Sequence, residues 1–228
     1  MNRLKLTLTI NEKIFFKDPT STKLGQKILK EGIIYLDQVG FEDFNFRKLA
    51  QKIESTESSI YRYFENKHYF FVYMINWYWE WMSGRIDIHL LNITDPKEKF
   101  RKVLQLLVDA ARRNTDTPYI DEDILHRVIV REGSKTYHHK LVDNENNDGF
   151  FLSYKFLCAK IGEIILEINP QYQYPKSTAS MLIETANNNI YFAKHLPRLS
   201  DISDSDEMDK DIVKMLKEIA LPSILKNK

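Results

Sequence analysis

Apolar residues along this chain settle into a helical spacing early and keep it almost to the end. The exception is the start, where Leu4, Leu6, Leu8 and Ile10 alternate with Lys5, Thr7 and Thr9. A period of two predicts a short strand or an extended arm there. From Ser21 the repeat lengthens. Leu24, Ile28, Leu29, Gly32, Ile33 and Leu36 lie on one stripe of a helix, and Gly40 stands where a left-handed residue would end it. Asn45 is placed to cap a second, short helix with Phe46, Leu49, Ala50 and Ile53 inward. Thr56 is placed to cap a third, with Ile60 and Phe64 one turn apart on its buried side. A fourth helix is predicted from Asn66-Lys67 to about Gly84. Beyond Pro96, helices are predicted over 97–114, 121–132, 150–168, 176–195 and 208–221, with Ile212, Met215, Leu216 and Ile219 of the last turned inward. The polar stretch 133–148 reads as a loop with a helical turn. The expected class is all-α, with an N-terminal arm (1–20), a three-helix domain (21–66) and a larger helical domain (67–228).

Composition changes this picture little. Of 228 residues, 43% are apolar and 12% aromatic, and Gly and Pro number only 7 each, so a bulky helical core is affordable. The single cysteine, Cys158, cannot form an intrachain disulfide and reads as a small buried hydrophobe. A net charge of +1 does not announce a nucleic-acid partner, so any such contact must come from a local arrangement. The first ten residues lack the features of a signal peptide. The most apolar run, Tyr69 to Met82, is broken by Asn76 and Glu80 and falls short of the ~20 residues of a membrane span. The expectation is a cytoplasmic protein without a membrane partner. His138-His139, His126 and Glu122 do not form a paired-histidine metal motif. There is no nucleophile–base pair and no phosphate loop, so neither an enzyme nor a cofactor or metal is expected.

What carries function is the crowding of three helices into about forty-five residues, the last two short and joined by a tight turn, which is the pattern of a helix-turn-helix. Ile28-Leu29-x-x-Gly32-x-x-x-Leu36-x-x-x-Gly40-Phe41 resembles the first helix of the TetR family of transcription regulators. Phe46-Arg47-Lys48-Leu49-Ala50 resembles its second helix. Thr56-Glu57-Ser58-Ser59-Ile60-Tyr61-Arg62-Tyr63-Phe64-Glu65-Asn66-Lys67 resembles its recognition helix and the junction to the fourth. The resemblance covers residues 22–70. It departs at Glu54-Ser55, where the family has Gly and Val in the turn, at Phe44, which replaces a small hydroxyl residue, and at Leu24, which replaces a Thr. Without Gly, the turn must accept strain or relax its geometry.

A recognition helix enters the major groove N-terminus first, so its leading side chains must be small or able to bond base edges, as Thr56, Ser58 and Ser59 are. Glu57 either accepts a hydrogen bond from cytosine N4 or only complements the helix dipole. Tyr61 and Tyr63 either donate to phosphate oxygens or serve as core aromatics; phosphate contact is the favoured expectation. Lys67 is expected to meet a phosphate together with the free N–H groups of the fourth helix. Arg47 resembles a family residue that touches backbone or base, and Arg62, Lys48 and Lys52 are each either a further phosphate partner or a solvated charge. The arm, with Arg3, Lys5, Lys13 and Lys17, is expected to pack as a strand on its own domain or on the partner chain rather than reach a minor groove.

The resemblance further implies a ligand-binding and dimerising C-terminal region. Its small-molecule effector is unknown; the candidate pocket wall is Trp77, Tyr78, Trp81, Met82 and Tyr154, although an aromatic stripe at helical spacing is more often core than ligand cage. The expected homodimer pairs helices 176–195 and 208–221 in a four-helix interface, with Ala179, Ala186 and Ala193 permitting close approach; the alternative is that these stripes form an ordinary intrachain core. The function implied is an operator-binding regulator of double-stranded DNA, a repressor released by its effector. The alternative is a helical protein-interaction module without specific DNA binding.

Overall fold

A computed structural model describes residues 8–109 and 118–226. Among the described residues there is no strand, and the α-helices are α1 (Lys23–Asp43), α2 (Phe46–Lys52), α3 (Glu57–Tyr61), α4 (Lys67–Leu90), α5 (Pro96–Val108), α6 (Glu122–Glu132), α7 (Val142–Asn147), α8 (Leu152–Ile168), α9 (Pro175–His195) and α10 (Met208–Leu225). The all-α expectation is met. The alternating segment falls mostly outside the described residues, and residues 8–10 carry no regular structure. Residues 110–114 of the helix expected over 97–114 also lie outside them.

Local signals act where they were read. Asn45 accepts from the Lys48 N–H at 2.9 Å and Thr56 from the Ser59 N–H at 3.3 Å, so both caps are made. Gly40 takes φ +76° and breaks the helical run of α1 before Phe41. Three bounds differ. α4 continues past Gly84 to Leu90, α10 continues through Pro222, and α7 occupies part of the expected loop. α7 gives no apolar period because its one buried residue is Glu145.

The described residues fall into two compact units, one within 1–80 and 111–153, the other within 81–110 and 154–228. The first unit holds α1–α3, the start of α4, α6 and α7. Its centre is aromatic: Phe44 stacks on Phe70 with ring centroids 5.3 Å apart, and Phe64 meets Phe70 and Tyr73 edge-on. Thus Phe44, the departure from the family pattern, is core. Gly32 admits this cluster, since a Cβ there would lie 2.5 Å from Phe70 Cζ. α6 packs along α1 and holds its end electrostatically: Arg127 pairs with Asp37 at 2.9 Å, and Arg131 donates to the carbonyls of Leu36 and Asp37. Packing therefore does not divide at residue 66, because α6 and α7 share a unit with α1–α3.

The described part of the arm lies on this unit as well. Ile14 is fully buried, Phe16 N–H donates to Tyr63 C=O at 2.8 Å, and Lys13 pairs with Asp148 at 2.6 Å.

In the second unit α5, α9 and α10 pack on one another, burying Phe100, Val103, Leu104, Leu182, Ile183, Ile190, Ile212 and Leu216. Lys99 of α5 pairs with Glu167 of α8 at 2.6 Å. Two expectations are corrected here. Ala179, Ala186 and Ala193 are buried in the chain's own core, so they let α9 approach neighbouring helices of the same chain, not a second copy. Ile219 is 52% exposed, because one more turn of α10 carries it off the buried stripe of Ile212, Leu216 and Ala220. No helix among the described residues is long and apolar enough to cross a membrane.

Candidate nucleic-acid interface

The tight turn between α2 and α3 is the structural hinge of the candidate site. Ile53 and Ile60 anchor it from below, both buried. Ser55 N–H closes back on Ala50 C=O at 2.9 Å, and Glu54 takes φ +53°, the left-handed region. Of the two outcomes open to a turn lacking Gly, this one accepts strain. The geometry leaves one face outward. Arg47, Lys48 and Lys52 of α2, Thr56 and Ser58 at the start of α3, and Tyr61 and Arg62 at its end are all exposed. Thr56 Oγ1 also bonds the hydroxyls of Ser58 at 3.0 Å and Ser59 at 2.8 Å, so the three small hydroxyls form one polar cluster. Ser59 is half-buried.

Tyr61 is 45% exposed and held from two sides: its ring meets Phe46 edge-on at 5.2 Å and its hydroxyl donates to Glu57 Oε1 at 3.2 Å. Burial, followed by the bond to Glu57, raises its phenol pKa, so it stays a proton donor at physiological pH. Glu57 is half-buried, and one carboxylate oxygen is occupied by Tyr61. Lys52 donates to Gln38 at 3.3 Å and lies over the Tyr35 ring. Arg47, Lys48 and Arg62 have no ion pair among the described residues, so their charges are available to a ligand.

Tyr63 and Lys67 do not fit the expectation. Tyr63 is 4% exposed, and its hydroxyl shares a 2.7 Å hydrogen bond with that of Thr22, which also caps α1 by accepting from Gly25 N–H. Its ring is covered by the arm, with Lys17 over one face. The phosphate role is corrected to a structural one: Tyr63 ties α3 to the start of α1. Lys67 donates to the carbonyls of Phe41 at 2.9 Å and Glu42 at 2.7 Å, and its ammonium sits over the Phe41 ring. At α4's first turn the His68 and Tyr69 N–H groups are taken by Asn66 Oδ1. The expected phosphate cradle at α4 is thus engaged within the chain, satisfying carbonyls that the break at Gly40 leaves open.

No protein-family model matches this sequence, and no curated protein matches it. Solved structures do match the fold. AibR in complex with isovaleryl coenzyme A and operator DNA shares it at TM-score 0.57 and 12% identity, over 85% of this chain and 97% of that one. A TetR-family transcriptional regulator from Pectobacterium atrosepticum shares it at TM-score 0.58 and 13% identity, over 91% and 100%. The superantigen PfiT shares it at TM-score 0.59 and 12% identity, over 89% and 97%. The fold is that of TetR-family regulators.

Within this TetR-like fold the expected ligand wall divides between the two units. In the first, Trp77 and Tyr78 are buried, and Tyr78 shares a 2.6 Å hydrogen bond with His126 Nδ1. In the second, Trp81 and Met82 are buried, and Tyr154 donates to Glu184 Oε1 at 2.9 Å. Core packing and these bonds account for the placement of all five. The second unit contains a separate open groove of about 470 Å³ between the α8–α9 link and the end of α10, lined by Asn169, Tyr172, Tyr174, Ser223 and Lys226 among others. The sequence offered no signal for it, because its residues are polar or aromatic and lie at element ends.

Proposed function

We propose that the protein is a homodimeric, sequence-specific DNA-binding transcription regulator, a repressor that leaves its operator when a small molecule binds among the helices beyond residue 67. One observation carries the reading. The α2–turn–α3 unit presents Arg47, Lys48, Thr56, Ser58, Tyr61 and Arg62 on an exposed face, in the fold that AibR uses with operator DNA. Thr56 and Ser58 lead α3 into the major groove, Tyr61 lies along the groove wall, and Arg47, Lys48 and Arg62 meet phosphates. Tyr63 and Lys67 act from behind, fixing α3 and α4 against α1.

A second copy places the two recognition helices one or more helical turns apart on one face of the duplex. The outward faces of α9 and α10 suit that role, since Met181 and Ile219 are 44% and 52% exposed. The protein needs no cofactor or catalytic group for this function, and it works in the cytoplasm, where its operator is.

The test is fluorescence anisotropy with the DNA flanking the gene against random duplex. Selective binding is expected, with log affinity falling against log salt at a slope of about −5 for three cations per protomer in a dimer. Arg62→Ala should make that slope shallower by about 2, two phosphate contacts per dimer being lost. Equal affinity for both DNAs would favour the protein-interaction module instead.

A further inference from the structure

We infer that His68, His139 and Glu145 form a binding site for a divalent transition-metal ion of the zinc class, independent of the DNA-facing surface. The three residues come from separate segments: the first turn of α4, the link before α7, and α7 itself. Glu145 lies 77 positions from His68 and 6 from His139, so no sequence spacing joins the three. In space they converge. His68 Nε2 is 2.8 Å from Glu145 Oε1, His139 Nε2 is 3.1 Å from Glu145 Oε2, and the two imidazole centroids are 4.9 Å apart.

Two imidazoles and one carboxylate are the ligand set of an open tetrahedral zinc site, with a water in the fourth position. At metal–ligand distances of about 2.0–2.2 Å, tetrahedral ligand atoms lie about 3.3 Å from one another. All three ligand atoms are already within 4.8 Å of one another. Closure around an ion therefore needs a movement of about 1.5 Å at most, within reach of side-chain rotation. The imidazoles are partly exposed, which gives an ion an entry path, whereas the Glu145 side chain is only 9% exposed. A shielded carboxylate whose two oxygens both face imidazole nitrogens is placed to hold a cation better than it would in open water.

Without an ion, the Leu141 N–H donates to His139 Nδ1 at 3.3 Å, which puts that ring's proton on Nε2, facing Glu145. A metal takes the place of the proton that His139 Nε2 directs at the carboxylate. Each ring then ligates through Nε2, and the long Leu141 contact at His139 Nδ1 opens. The ion would pin the start of α4 to α7.

The experiment titrates Zn²⁺ into the full-length protein without a polyhistidine tag, by calorimetry near neutral pH. One ion per chain is expected, with affinity lowered at least ten-fold by His68→Gln and by His139→Gln and unchanged by His138→Gln at the exposed neighbour. Absence of saturable one-to-one binding, or wild-type affinity in either of the first two variants, overturns the site. Co²⁺ absorption of the unmodified protein is read independently of how the variants fold. Tetrahedral bands bleached by Zn²⁺ support the site, and octahedral bands alone refute it.

Discussion

Glu54 offers a clean test of how the helix-turn-helix is held, because a side chain sits where the backbone asks for none. At φ +53° its Cβ crowds the neighbouring carbonyl, at about 1–2 kcal/mol for a non-glycine residue. Glu54→Gly removes that crowding and leaves the turn's backbone bonds, Glu54 N–H to Gln51 C=O and Ser55 N–H to Ala50 C=O, as they are. Against this, glycine widens the unfolded ensemble by about 0.4–1 kcal/mol. The difference is a net stabilisation of about 0.5–1 kcal/mol, or a melting-temperature rise of about 1–4 °C for a chain of this size. The side chain is exposed, so losing the carboxylate adds little. Glu54→Ala separates the two effects: it removes the charge but keeps the Cβ, and its stability should stay close to the parent's. Differential scanning calorimetry of the three proteins decides. A glycine variant no more stable than the alanine variant would refute the claim that this turn stores backbone strain.

Two further outcomes follow from the geometry. Tyr63→Phe breaks the hydrogen bond to Thr22 and should lower stability by about 0.5–1.5 kcal/mol in urea unfolding. The same substitution should leave operator affinity within about two-fold while Arg62→Ala weakens it at every sequence, and the reverse order would restore Tyr63 to the DNA surface. Burial, and after it the Glu184 carboxylate, pushes the Cys158 thiol up to about 11. The reactive thiolate is scarce below that value, so labelling of the native protein by a disulfide reagent should be slow at pH 8 and quicken about ten-fold per pH unit towards 10. Immediate labelling at pH 8 would contradict the buried placement.

The apolar period and the caps belong to the sequence alone. Asn45, Thr56 and Gly40 act within a few residues of themselves, and the stripe of Ile28, Leu29, Ile33 and Leu36 repeats at the pitch of a helix whatever lies opposite. That is why the helix order, and the turn between Ile53 and Thr56, are legible in the sequence. Which polar group meets which was not. α3 is only a single turn and a half, so its residues point in every direction, and whether Tyr63 faces a duplex or Thr22 depends on where a segment 41 positions away comes to rest. Lys67 likewise finds carbonyls at the end of α1, opened by the break at Gly40. The alanines of α9 suit close packing against any helix, and only the assembled core made α9's neighbours in the same chain their partners. The meeting of His68, His139 and Glu145 has the same origin. Hydrogen bonding and ligation are set by distances of a few ångströms, and folding, not spacing along the chain, creates those distances.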